Sequence, residues 1–229
     1  MPEPMKPITL YLDSVQWHAS DAQGHPFGGR RGDVAEAPLD DHAGWLESLG
    51  TRRRSIAVLL SAACVPSLCL PWSASLPLAS EVRRRVGEAW SVRGVDASSH
   101  DIRIHWPDYG MPVVSLAYPQ ALLRGLAEQL APHRPGSAVC GVFAAAERHL
   151  AKTRASRELL MFAERDGYSA LHIQAGRLID AEYLRPDGRG LDAFPVWLKR
   201  KAMEYPDAGQ VQWPAGDEPA PRALCGGWA

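Results

Sequence analysis

Residues Glu158–Leu184 read ELLMFAERDGYSALHIQAGRLIDAEYL. Three β-prone runs, ELLMFAER, YSALHIQ and RLIDAEYL, are punctuated by Asp166-Gly167 and Ala175-Gly176. Asp-Gly between two such runs is a strong hairpin signal, and the second glycine supplies another tight turn, so the stretch predicts a three-strand antiparallel meander. A helix capped by Asp192 follows, with Pro195 in its first turn and Phe194, Trp197, Leu198, Ala202 and Tyr205 on one side. GQVQW adds a last strand. The Pro/Ala/Gly-rich stretch from Pro214 to Ala229 reads as a flexible tail or linker.

The opposite end carries a second strand-turn-strand unit, LDSVQWHASDAQG at Leu12–Gly24. Ile8–Leu12 and Val15–Ala19 predict a hairpin in which Val15 and Trp17 alternate with Gln16 and His18. Ser20–Asp41 contains GGRRGD and is rich in Gly, Asp and Pro, which favours a mobile surface loop. His42–Leu49 reads as a short helix with Asp41 at its cap and Gly50 at its close. SIAVLLS and VPSLCLPW then read as strands. Ser80 is placed to cap a helix whose Val82, Val86, Ala89 and Trp90 share a face, with Arg83, Arg84 and Arg85 on another. DIRIHW and VVSLAY are strands, Pro119 suits the first position of a helix bearing Leu122, Leu123, Leu126 and Leu130, SAVCGVF is a strand, and AAAERHLAK a connecting helix. The pattern divides into residues 1–152 as a first lobe with a mobile loop near 20–41, residues 153–213 as a second lobe, and 214–229 as a tail.

The 229 residues suffice for two small lobes or one large domain, and at 46% hydrophobic and 22% charged a core of ordinary size forms without disulfides or metal. Lys and Arg number 25 against 26 Asp and Glu, so no global charge steers the chain to nucleic acid or anionic lipid. The four cysteines, Cys64, Cys69, Cys140 and Cys225, form no CxxC pair and are expected to be reduced and buried. No apolar run reaches the ~18 residues of a membrane span, so a soluble, cytoplasmic protein is expected.

Asp13 and Asp166 stand at corresponding turns of the two halves. Turns of this kind hold phosphate through backbone N–H groups, and glycines let the chain approach the anion. Here Ser14, Val15 and Gln16 follow Asp13, while Phe162, Ala163, Glu164 and Arg165 precede Asp166. A β-branched residue in one turn and a carboxylate in the other oppose a polyphosphate. Asp40-Asp41-His42 and His100-Asp101-x-x-x-His105 invite a metal reading, but residues five apart on a strand face opposite ways and the aspartates suit caps and turns. HExxH, GxSxG and Walker motifs are absent. The triplets Arg52–Arg54 and Arg83–Arg85 suit a solvated face or an acidic partner. RGD at Arg31–Asp33 is read as coincidence in a reduced protein, and most of the eight tryptophans as core.

The order of elements, with VQW, WLESL, IAVLLSAACVPSLCLPW, LASEVRRRVGEAW, DIRIHW, VVSLAYPQALLRGLAEQLA and the meander, resembles the cytoplasmic actin-like domain of the type II secretion L component and, more distantly, the type IV pilus M component. The likeness runs from about Ile8 to Trp213. It implies an α/β, actin/Hsp70-like (ribonuclease H-like) two-lobe architecture with mixed sheets. It further implies a non-catalytic cytoplasmic scaffold, peripheral to the inner membrane, that binds an inner-membrane platform protein or the assembly ATPase and can pair with itself. Pilus M relatives bind ATP through glycine-containing loops, which secretion L relatives have lost. This chain departs from the binding pattern at Asp13, which lacks the following glycine, at Ala163, where an acidic residue is expected, and at Arg165, near the glycine position. The implied protein takes no cofactor, and its interface candidates are Arg30, Arg31, Arg83, Arg84 and Arg85. An L component continues into a transmembrane helix, so either this is a separate soluble subunit or the membrane part lies outside these residues. The alternative is an ATP-binding phosphotransferase or ATPase of the same fold, with Asp13 and Ser14 at one phosphate and Asp166 and Gly167 at another.

Overall fold

The computed structural model describes residues 8–21, 23–32, 38–50, 54–72, 78–105, 110–152, 157–185 and 193–213. Along the chain come β1 (Ile8–Leu12), β2 (Gln16–Ser20), β3 (Pro26–Arg30), α1 (Ala43–Ser48), β4 (Ser55–Leu60), β5 (Ser67–Leu70), α2 (Ala79–Val92), β6 (His100–His105) and β7 (Val113–Pro119). They are followed by α3 (Gln120–Gln129), β8 (Arg134–Pro135), β9 (Val139–Cys140), α4 (Gly141–Leu150), β10 (Arg157–Glu164), β11 (Gly167–Gln174), β12 (Arg177–Leu184), α5 (Ala193–Glu204) and β13 (Gly209–Trp213).

The first sheet runs β3-β2-β1-β4, with the short β8 and β9 both on the far side of β4; β1, β2 and β3 are antiparallel and the β1–β4 pair is parallel. The meander forms the second sheet, β12-β11-β10-β13, in which β13 returns parallel to β10. A third sheet, β5-β7-β6, is antiparallel and packs beneath α2. The largest core spans the first two sheets, because period-2 alternation sends Leu160 and Phe162 of β10 toward Leu10, Leu12 and Leu60, while Leu159 and Met161 face Trp197 of α5 on the other side. Under α2, Val82, Val86 and Trp90 lie on Leu68, Val113 and Ala117, and the buried indole of Trp90 donates to Ser115 Oγ at 2.8 Å.

Several local expectations change. Within the segment read as loop, residues 26–30 form β3, paired with β2 from Gln16↔Arg30 to Ser20↔Pro26. In PFGGR only Phe27 favours a strand; Gly29 is there because a Cβ would lie 2.6 Å from Trp17 Nε1 and 2.7 Å from Asp40 O. Residues 33–37 lie outside the described residues, as do Asp192 and the tail. Val15 sits in the turn and is 56% exposed, so inward alternation starts at Trp17. Helix α2 begins one residue before Ser80, capped by the extended backbone of Leu78 with no side-chain bond, and α1 is preceded by His42 rather than capped by Asp41. Pro119 caps α3 rather than opening it. The strand read over SAVCGVF stops at Cys140, where helix α4 takes over and buries Gly141 through Ala146. Its alanine run supplies the helix preference that the apolar pattern alone does not show.

Candidate functional site

The turn after β1 is closed by its own aspartate. Asp13 is 1% exposed, and its Oδ1 accepts the backbone N–H groups of Val15 and Gln16, both at 2.7 Å, while its own N–H donates to Gln16 O at 3.0 Å. This is an Asx turn, the local bonding that makes aspartate a turn residue. The carboxylate read as a phosphate neighbour is thus committed to its own hairpin. The Ser14 N–H instead points to the turn between β10 and β11 and donates to Asp166 Oδ2 at 2.8 Å.

The facing turn, between β10 and β11, has Arg165 and Asp166 at its tip and Glu164↔Gly167 as its closing pair. Gly167 therefore belongs to the first ladder pair rather than to the tip. A Cβ there would run into the Tyr183 ring, whose hydroxyl donates to Asp166 O at 2.6 Å, so this glycine serves the approach of a tyrosine and not of an anion.

Two carboxyls of this one turn reach the first sheet. Asp166 Oδ2 accepts the Ser61 hydroxyl at 2.9 Å in addition to Ser14 N–H, and its Oδ1 is buried without a partner. Glu164 continues the inward register of Leu160 and Phe162 and is 6% exposed. Its Oε1 accepts the Tyr11 hydroxyl at 2.9 Å and its Oε2 accepts the Ala62 N–H at 3.0 Å. Burial, followed by the charge of Asp166, pushes the Glu164 carboxyl up to about 8. Burial and then Glu164 likewise raise the Tyr11 phenol well above its ordinary value. Ser61 is held in place at the end of β4 by its N–H on Leu12 O at 2.8 Å.

Of the residues singled out in the sequence, the structure brings Asp13, Ser14 and Asp166 together, with Gly167 closing the second turn; Glu164, read there as a carboxylate opposing a polyphosphate, joins them, and Tyr11 and Ser61 were not singled out. The signal for Glu164 lies in the alternation: a carboxyl on the apolar face of a strand must find donors.

Among the arginines proposed for an interface, Arg31 turns inward, with Nη1 3.2 Å from Cys64 Sγ and 3.4 Å from Asp13 O. Cys64 is buried and free, as is Cys140; Cys69 is half-buried and free, and Cys225 lies outside the described residues. On α2, Arg84 pairs with Glu81 at 2.6 Å and with Glu88, and Arg85 pairs with Glu81 at 3.3 Å. Hydrogen bonds from Arg84 hold the Glu81 carboxyl at about 2, below its ordinary range. Arg30 and Arg83 are exposed.

The histidine sets do not converge: His42 Nδ1 lies on Leu39 O at 2.7 Å, His100 sits among Ser99 and Asp96, and His105 stacks on Phe143. Among the described residues no three His, Cys, Asp or Glu side chains gather to hold a metal ion. None of the helices among them is long and apolar enough to cross a membrane. Away from the two turns, a cavity of about 230 Å³ between α4, β7 and β11–β12 is lined by Val114, Phe143, Leu171 and Ile173 with His105 and Arg177.

No family model matches the chain, and no curated protein does. Solved structures do. The cytoplasmic domain of EpsL, an inner membrane component of the type II secretion system of Vibrio cholerae, is 14% identical with a TM-score of 0.55, over 93% of this chain and 84% of that one. A PilM–PilN type IV pilus biogenesis complex is 13% identical with a TM-score of 0.52, over 89% of this chain and 67% of that one. A Bacteroides thetaiotaomicron protein of unknown function with an actin-like ATPase fold is 11% identical with a TM-score of 0.52, over 96% of this chain and 86% of that one. The chain therefore has the actin-like ATPase fold, α/β with mixed sheets and an antiparallel meander in its second half.

Proposed function

We propose that this protein is a non-catalytic, cytoplasmic scaffold subunit of a bacterial secretion or pilus assembly platform, lying against the inner membrane and binding a membrane component of the platform, its assembly ATPase, or both. The observation that carries the reading is the bonding between the first half and the β10–β11 turn. Ser14 N–H, Ser61 Oγ and Ala62 N–H, donors of the sort that would take a phosphate, are held by Asp166 and Glu164 of the same chain. A nucleotide would have to displace both carboxyls and then lie beside Asp13 and Asp166, where like charge opposes it. The fold shared with EpsL and PilM, components of secretion and pilus systems, supports the assembly setting.

Calorimetry of the full chain with ATP and magnesium tests the non-catalytic part: no binding heat is expected, and micromolar affinity would overturn it. For the partner surface, Arg83 and Arg30, both exposed, are the proposed contacts. Charge reversal at Arg83 and Arg30 should weaken capture of the platform partner while leaving the thermal midpoint unchanged. Undiminished capture places the interface elsewhere.

A further inference from the structure

The clasp between the turns has an unusual charge balance. Four donors from the first half, Tyr11 Oη, Ser14 N, Ser61 Oγ and Ala62 N, meet two carboxyls separated by one residue, with Asp13 buried alongside. The titratable groups that face Glu164 are Tyr11 from β1, Asp13 from the first turn, Cys140 from β9, Asp166 from its own turn and Tyr183 from β12. None is a cation, and the guanidinium of Arg31 is directed to the Asp13 carbonyl and Cys64 instead. Asp166 Oδ1, buried and without a donor, shows the same shortage of positive partners.

We infer that the clasp is a proton-held latch between the two halves: it stays closed while Glu164 keeps its proton, and it releases when Glu164 becomes a charge beside Asp166 and Asp13. The physical basis is the cost of an unpaired charge in a buried site, which breaks the contact that buries it in preference to tolerating it. Burial and the two neighbouring aspartates place Glu164's proton loss within the range of ordinary buffers, so the latch responds to modest alkalinity. Release frees the Ser14 and Ala62 amides and leaves the ladders of both sheets intact, because the bonds that open are made by the side chains of Asp166 and Glu164 and not by the backbone pairs of the strands. The inference rests on the clasp alone and does not require the scaffold reading, whose own test is nucleotide binding.

Amide exchange of the full-length protein, followed residue by residue by NMR and corrected for intrinsic rates, tests it. Between about pH 6 and about pH 9 the protection of Ser14 and Ala62 should fall by more than about tenfold relative to Leu10, which lies between two ladder partners. The midpoint of that fall should coincide with the titration of the Glu164 carboxyl carbon. Glu164→Gln carries no charge, its amide oxygen can accept the Ala62 N–H and its amide N–H can donate to Tyr11 Oη, and it should hold protection constant. A wild-type ratio that does not change, a Glu164 carboxyl that titrates in the ordinary range, or the same fall in Glu164→Gln each overturns the latch. Should that variant fail to fold, the two wild-type measurements decide.

Discussion

The two turns that meet through Ser14 and Asp166 use the same side chain to opposite ends. Asp13 bonds the amides two and three residues ahead of it and stabilises only its own hairpin, whereas Asp166 and Glu164 leave their own turn unassisted and bond the other half. The difference follows from position. Asp13 stands just past the last inward residue of β1, where its carboxylate can fold back on the chain. Glu164 is still in register on β10, so its carboxyl is aimed into the core and must be met there. Residue type says little about a turn's role, and register says a good deal.

Removing the acceptor that bonds the other half should hurt most. Glu164→Ala orphans the Ala62 N–H and the Tyr11 hydroxyl in a buried site and leaves a cavity, a loss of about 3 kcal/mol in a urea titration at about pH 4.5, where the protonated carboxyl contributes fully. Asp13→Ala strips two amides in a turn that water can partly reach, and should cost about 1–2 kcal/mol, with Asp13→Asn close to wild type because its Oδ1 can accept the same pair. An Asp13 effect equal to that of Glu164 would erase the contrast.

The pH dependence sharpens it. Folding raises Glu164 from an ordinary 4.5 to about 8, so the native state holds a proton that the unfolded chain gives up. Its contribution to stability is complete below about pH 4.5 and is lost as pH rises through about 8, giving unfolding midpoints that fall across that window. Glu164→Gln should remove this slope, while Asp13→Asn should preserve it. Equal slopes in wild type and Glu164→Gln would show that the carboxyl is not the titrating group.

Gly167 offers a smaller perturbation of the same turn. Its φ is not left-handed, so Gly167→Ala costs little in backbone conformation and acts by displacing the Tyr183 ring from Asp166 O. A loss of about 1–2 kcal/mol is expected, and most of it should vanish in a Tyr183→Ala background, which a double-mutant cycle measures. Full additivity would mean that the glycine is needed for some other reason.

How much of this the sequence discloses depends on whether the controlling interaction is local. The meander is legible because alternation and glycine turns are written within Glu158–Leu184, and Trp17, Val82, Val86 and Trp90 announce their core faces by period alone. Strand β3 is not legible, since its glycines were set by contact with Trp17 and Asp40, which only the folded sheet brings near. The clasp is half legible. Asp13 and Asp166 are visible as turn residues, but Ser61 and Ala62 enter it from a distant strand end, more than a hundred residues before Glu164 and Asp166, and no spacing rule connects them.

The far turn of the meander supplies the control. Ala175 and Gly176 both adopt left-handed backbone, at φ 51° and 73°, between the paired residues Gln174 and Arg177, and both are exposed. This is the geometry that favours Asn-Gly, so Ala175→Asn should raise stability by about 0.5 kcal/mol by relieving an L-residue from a conformation it resists. The substitution touches nothing in the clasp, and Ser14 and Ala62 protection should stay at wild-type values relative to Leu10. The two ends of β11 then separate cleanly: one turn is tuned by backbone conformation alone, the other by what its carboxyls hold. A change in Ser14 protection caused by Ala175→Asn would instead mean that the meander transmits strain along β11, and that the clasp depends on the whole hairpin rather than on Glu164 and Asp166.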